Sequence, residues 1–83
     1  MESPMPRFYL HVRIGENLVR DPEGAAFDDL ESARHEATEA ARELAAECIR
    51  FDRPIDGQLE IADDNGNRLL VVTLRSAVRM ERP

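Results

Sequence analysis

The period of the hydrophobic pattern changes twice along this 83-residue chain, and no other feature constrains the fold as much. In the segment from Arg7 to Arg13 apolar residues alternate. Phe8, Leu10 and Val12 fall on one face of an extended strand, and Tyr9, His11 and Arg13 on the other. Turn residues follow at Ile14-Gly15-Glu16-Asn17, then a short return strand from Leu18 to Asp21 and a second turn at Pro22-Glu23-Gly24, which together read as a β-hairpin.

From Asp28 the period becomes helical. Leu30, Ala33, Ala37, Ala40, Ala41, Leu44, Ala45 and Cys48 fall on one arc of about 140°, with Glu36, Glu39, Glu43 and Glu47 opposite. Asp28 with Glu31, or Asp29 as the cap, marks the helix start. Glu31/Arg34, Glu39/Arg42 and Glu47/Arg50 are spaced for ion pairs. The alanine stripe predicts close approach of the helix to a sheet, with Leu30 and Leu44 supplying bulk.

After Pro54 and Gly57 the period returns to two. Gln58 to Ala62 and Arg68 to Leu74 flank an Asp63-Asp64-Asn65-Gly66-Asn67 turn, a second hairpin. The order ββαββ implies an α+β fold, in which a four-stranded sheet of two hairpins carries one amphipathic helix on one face. The fourth strand is apolar on both faces, Leu70, Val72 and Leu74 alternating with Leu69 and Val71. That pattern predicts a central strand and the order 2-1-4-3, with strands one and four parallel. Residues 1–4 read as an extension, with Met5 as an alternative start, 5–76 as a single domain and 77–83 as a tail.

Net charge is −6, and every basic residue other than the histidines is an arginine. The acidity is concentrated in the helix, where seven acids face three arginines between Asp28 and Arg50. An acidic chain is a poor match for nucleic-acid phosphates. The longest apolar run, Leu69 to Val72, is far below the roughly 18 residues of a membrane span. A single cysteine, Cys48, forms no internal disulfide, so a cytoplasmic location is expected.

No catalytic, cofactor or metal constellation emerges. His11 and His35 stand at no ligand spacing to each other or to Cys48, which lies on the apolar arc as a small hydrophobe. Asp63 and Asp64 belong to a hairpin turn that lacks the length of a calcium loop. The helix glutamates form a solvated face, and no phosphate-binding glycine loop or nucleophile elbow occurs.

Met5-Pro6-Arg7-Phe8-Tyr9, Arg20-Asp21-Pro22-Glu23-Gly24 and Asp29-Leu30-Glu31-Ser32-Ala33 together resemble a family of short bacterial proteins classed as a domain of unknown function. Its members open Met-Pro-Arg-aromatic-aromatic, carry an Arg-Asp-x-x-Gly turn and begin their helix Asp-Leu-x-x-Ala. The resemblance implies no activity, cofactor or site residue. The hairpin and Asp-Leu-led helix are also similar in topology to antitoxin domains with a partial ribonuclease H fold.

The expected function is that of a non-enzymatic interaction or regulatory module that forms a homodimer through its sheet, with Tyr9, Leu69 and Val71 as the contact surface and an unidentified protein as a further possible partner. The alternative is a nucleic-acid-binding or antitoxin-like regulator using sheet and tail arginines (Arg7, Arg13, Arg68, Arg75, Arg79 and Arg82).

Overall fold

The computed structural model describes residues 6–79, so the expected extension at residues 1–4 and the last four residues lie outside the described part. The alternating segment forms β1 (Arg7–Ile14), which turns at Gly15 into β2 (Asn17–Val19) with Val12 opposite Val19 and Arg13 opposite Leu18. The chain then returns to the start of the same strand. β3 (Ala25–Ala26) pairs with Arg7 and Phe8.

The helix α1 spans Leu30–Arg50. Of the two candidate caps it is Asp29 that starts it, in extended backbone, its carboxylate accepting the Ser32 N–H at 2.9 Å. The helix ends where Asp52 adopts a left-handed φ of 56°. There the Arg53 N–H reaches the Cys48 carbonyl at 2.7 Å and the Asp52 N–H reaches Ile49 at 3.2 Å, a Schellman-type closure that satisfies the last turn. Arg34 pairs with Glu31 and Arg42 with Glu39, whereas Arg50 lies over the ring of Phe51.

A short connection delivers β4 (Gln58–Ala62) to β1, antiparallel, and the turn at 63–67 sets β5 (Arg68–Thr73) beyond it. The sheet order is β2-β1-β4-β5 with every pairing antiparallel. This corrects the expected order 2-1-4-3. The third strand of the sequence reading, not the fourth, is central, and the doubly apolar strand lies at the edge. The reason is local. Gly57 sits against the Arg13 carbonyl, where an added Cβ would come within 3.1 Å, and it accepts the Leu74 N–H at 3.0 Å. The chain leaving the helix therefore meets the end of β1 first.

A second correction concerns the carboxy end. Leu74 does not close the strand. It opens a second helix, α2 (Leu74–Arg79), whose first turn is capped by Thr73 Oγ1 accepting the Ser76 N–H at 3.1 Å. Ala77 is fully buried against α1, so the chain at residue 77 belongs to the core rather than to a tail.

One face of the sheet is covered by α1. Ala33, Ala37, Ala41 and Ala45 have no exposed surface and recur every fourth residue, which lets the helix backbone lie close to β4 and β5. Leu44 packs at the margin, but Leu30 is 36% exposed and supplies little of the expected bulk. The volume comes from the opposite side, where Leu59, Ile61 and Leu74 are the largest fully buried side chains, each contributing about 1.5–3 kcal/mol. Phe8 and Phe27 close one end with ring centroids 6.1 Å apart.

Such close contact predicts that Ala41→Leu, which forces a branched side chain into the helix–sheet seam, costs about 1–3 kcal/mol in urea denaturation. The same change at exposed Ala46 should be near neutral.

Candidate functional site

No described element covers the other face of the sheet, so the residues that close it must do so among themselves. Register decides which of them meet. His11, Glu60 and Val71 form one row across β1, β4 and β5, and Arg13, Gln58 and Thr73 form the next. Glu60 is only 5% exposed although it lies on this open face. Its Oε2 accepts from Arg13 Nε at 2.6 Å and Gln58 Nε2 at 2.8 Å, with Arg68 Nη1 at 3.6 Å. The Arg13 hydrogen bond overcomes the burial that opposes ionisation and, with Gln58 and the charges of both arginines, holds Glu60 below its ordinary 4.5. A carboxylate and its partners thus roof the central strand where a second helix would otherwise be needed.

Next to this cluster lies the turn from Arg20 to Gly24. The Asp21 carboxylate stands in for a missing ladder partner, Oδ2 accepting the Leu10 N–H at 3.2 Å, while Oδ1 accepts from Gly24 at 3.1 Å and Glu23 at 3.3 Å. Burial works against its charge, and these three N–H donors outweigh it, so its pKa is lowered. The Asp21 N–H in turn donates to His11 Nδ1 at 3.0 Å, which puts the proton of the neutral ring on Nε2. Gly24 has φ 66°, and a Cβ there would meet the Phe8 carbonyl at 2.8 Å and the Tyr9 ring at 2.9 Å. Only glycine lets this turn close against β1.

Two adjoining clefts open here, of about 380 and 330 Å³, sharing His11, Arg20 and Gly66. Leu18, Glu60 and Arg68 line the first, and Tyr9, Pro22 and Asp64 the second.

The three residues expected to form one contact surface are not brought together. Tyr9 is opposite Ala62 and stacks near His11, with centroids 6.3 Å apart. Leu69 and Val71 lie on β5 with β4 between them and Tyr9, because β5 is not the neighbour of β1. Within β5 the alternation is as expected, with Val72 buried and Leu70 half-buried while Leu69 and Val71 are 40% and 37% exposed.

Cys48 is half-buried beside Leu44 and Phe51, and His35 is exposed on α1. Asp63 is engaged in its own turn by the Asn65 and Asn67 N–H groups, each at 2.9 Å. Among the described residues no group of three or more His, Cys, Asp or Glu is placed to hold a metal ion, and no helix is long and apolar enough to cross a membrane.

A family model for a domain of unknown function, DUF6894, matches residues 7–75, from the first residue of β1 into the first turn of α2. The chain belongs to the DUF6894 family. No curated protein and no solved structure matches it. In this DUF6894 domain the Asp21–Gly24 turn, the Asp29 cap and the Glu60 cluster all fall inside the matched span.

Sequence reasoning missed Glu60, Arg20 and Asp21 as parts of one site. The alternation of β4 puts Glu60 on the open face, but its burial follows only once β1 is known to lie beside β4. Removing Arg13 from this DUF6894 domain leaves a buried carboxylate short of its main partner. Because Arg13 is itself 37% exposed, we expect Arg13→Met to cost about 2 kcal/mol at neutral pH, below the range for fully buried pairs. Arg13→Met combined with Glu60→Leu should recover most of that loss in urea denaturation. Glu60 titrates lower folded than unfolded, so its ionisation stabilises the fold above about pH 4.5 and that contribution is lost as pH falls through the folded value. The stability gap between wild type and Glu60→Gln should therefore narrow below pH 4.5.

Proposed function

We propose that this DUF6894 protein is a small non-enzymatic interaction module that forms a homodimer through the free edge of its sheet. The observation that carries the reading is β5. It is six residues long, contains no proline, pairs only with β4 among the described strands, and holds Leu69 and Val71 partly exposed. An edge strand presents unpaired N–H and C=O groups, and natural edges are blunted by shortness, proline or charge. The opposite edge, β2, is three residues long and obeys that rule. Along β5 only Arg68 and the register shift beside it do so.

A second copy is the occupant that the residue pattern favours. An antiparallel two-fold pairing centred on Val71 sets Val71 against its own copy on the open face and Leu70 against the partner's Val72 on the helix face, with the irregular end at Arg68 left outside. Both faces then match like with like, as an isologous contact requires. Leu69 and Val71 are already more than half covered, so completing their burial contributes about 1 kcal/mol each, and the new ladder adds hydrogen bonds of about 1 kcal/mol apiece.

Nucleic-acid binding through the arginines of the sheet has less support. Arg13 is held by Glu60, Arg7 donates to the Glu23 carbonyl at 2.8 Å, and the net charge is −6.

Light scattering after size exclusion should give twice the chain mass at micromolar concentration. Val71→Lys should halve it while preserving the far-ultraviolet circular dichroism, because the new ammonium faces Glu60 across the ladder but meets its own charge across the two-fold axis. A monomeric wild type overturns the dimer. Fluorescence anisotropy with a random DNA duplex should show no binding at physiological salt, and micromolar, salt-sensitive binding would favour the nucleic-acid reading instead.

A further inference from the structure

We infer that the paired clefts on the open face bind a small organic oxyanion, its charged group held between Arg20 and Arg68 and its uncharged body resting on Leu18, Ala62 and Tyr9.

The charge arrangement supports an anion. Two arginines face the buried carboxylate of Glu60, which is already engaged by Arg13 at 2.6 Å. Arg68 lies at the longer distance of 3.6 Å with its side chain 58% exposed, and Arg20 is exposed at the same cleft. The first cleft therefore carries an excess of positive charge over what Glu60 neutralises. A third donor joins them, since His11 lines both clefts and has its Nδ1 occupied by the Asp21 N–H, which leaves Nε2–H to donate. Guanidinium groups with an N–H donor form a fork for a planar carboxylate or a phosphate ester.

The shape and the second cleft define the rest of the ligand. Volumes of about 380 and 330 Å³ suit a small molecule. Leu18 and Ala62 offer apolar wall in the first cleft, and Tyr9 and Pro22 in the second. Asp21, Asp63 and Asp64 line the second cleft and repel a second anionic group, so the ligand carries its charge at one end only. Gly66 lines both clefts, as do His11 and Arg20, so the two adjoin along these residues.

Phenyl phosphate and phenylacetate, titrated separately into the ¹⁵N-labelled protein, test this by amide chemical shifts. Both should give saturable shifts centred on His11, Arg20, Gly66 and Arg68, and their relative affinities report which oxyanion fits. Benzyl alcohol, of similar body without charge, should give none. Arg20→Gln and Arg68→Gln should each weaken binding about tenfold while leaving the rest of the spectrum in place. Shifts that fail to saturate, that centre elsewhere, or that persist unchanged in both variants overturn the proposal. Inorganic phosphate binding as tightly as phenyl phosphate would also overturn it, by showing an adventitious ion only.

Discussion

The sheet has one helical layer and two faces, and the ion pair between Arg13 and Glu60 is what closes the second. β4 is the central strand, and Leu59, Glu60, Ile61 and Ala62 are all buried. Leu59 and Ile61 are covered by α1 in the ordinary way. Glu60 points to the side that no helix covers and is buried by a guanidinium, an amide and a second arginine reaching over it from the neighbouring residues. A charged group so placed is tolerated only while its hydrogen bonds are complete, so the row that holds it depends on strand register. A one-residue slip of β1 against β4 would turn Arg13 to the helix side and leave Glu60 without its main donor.

From that pair the chemistry of the open face follows. Arg13 satisfies Glu60 at short range, while Arg68, at the longer 3.6 Å, and Arg20 line the cleft beside it. Because Glu60 and not an aliphatic residue occupies the centre, apolar surface on this side is displaced outward to Leu69 and Val71 on β5. The open face thus separates into a polar cleft toward β2 and an apolar edge at β5. Asp21 plays a comparable part at the other end of β1, replacing a ladder partner with a carboxylate and closing its own turn through Gly24.

Much of this fold was legible as periodicity. The change from period two to 3.6 at Asp28 locates α1, the four alanines locate its buried face, and the alternation in the last strand separates Val72 and Leu74 from Leu69 and Val71. Strand order was not legible, because a run of aliphatics is an ambiguous signal. It marks burial on two faces or exposure at an edge, and β5 is the second case. The buried central strand carried a glutamate, which reads as solvent-facing until its cross-strand arginine is known. Leu74 fits strand alternation equally well, and its helical role depends on the Thr73 cap and on the Gly57 carbonyl. The site was hidden for the same reason, since Glu60 meets His11 and Arg13 only through the pairing of β1 with β4, strands distant in sequence.

The claim that the open face is organised around a buried, ionised carboxylate is tested most directly by the titration of Glu60 itself, followed through its side-chain carboxyl carbon by ¹³C NMR. The midpoint should lie below the ordinary 4.5 in the wild type and rise when Arg13 is replaced by Met. A midpoint at or above 4.5, or one that does not respond to the loss of Arg13, would contradict it.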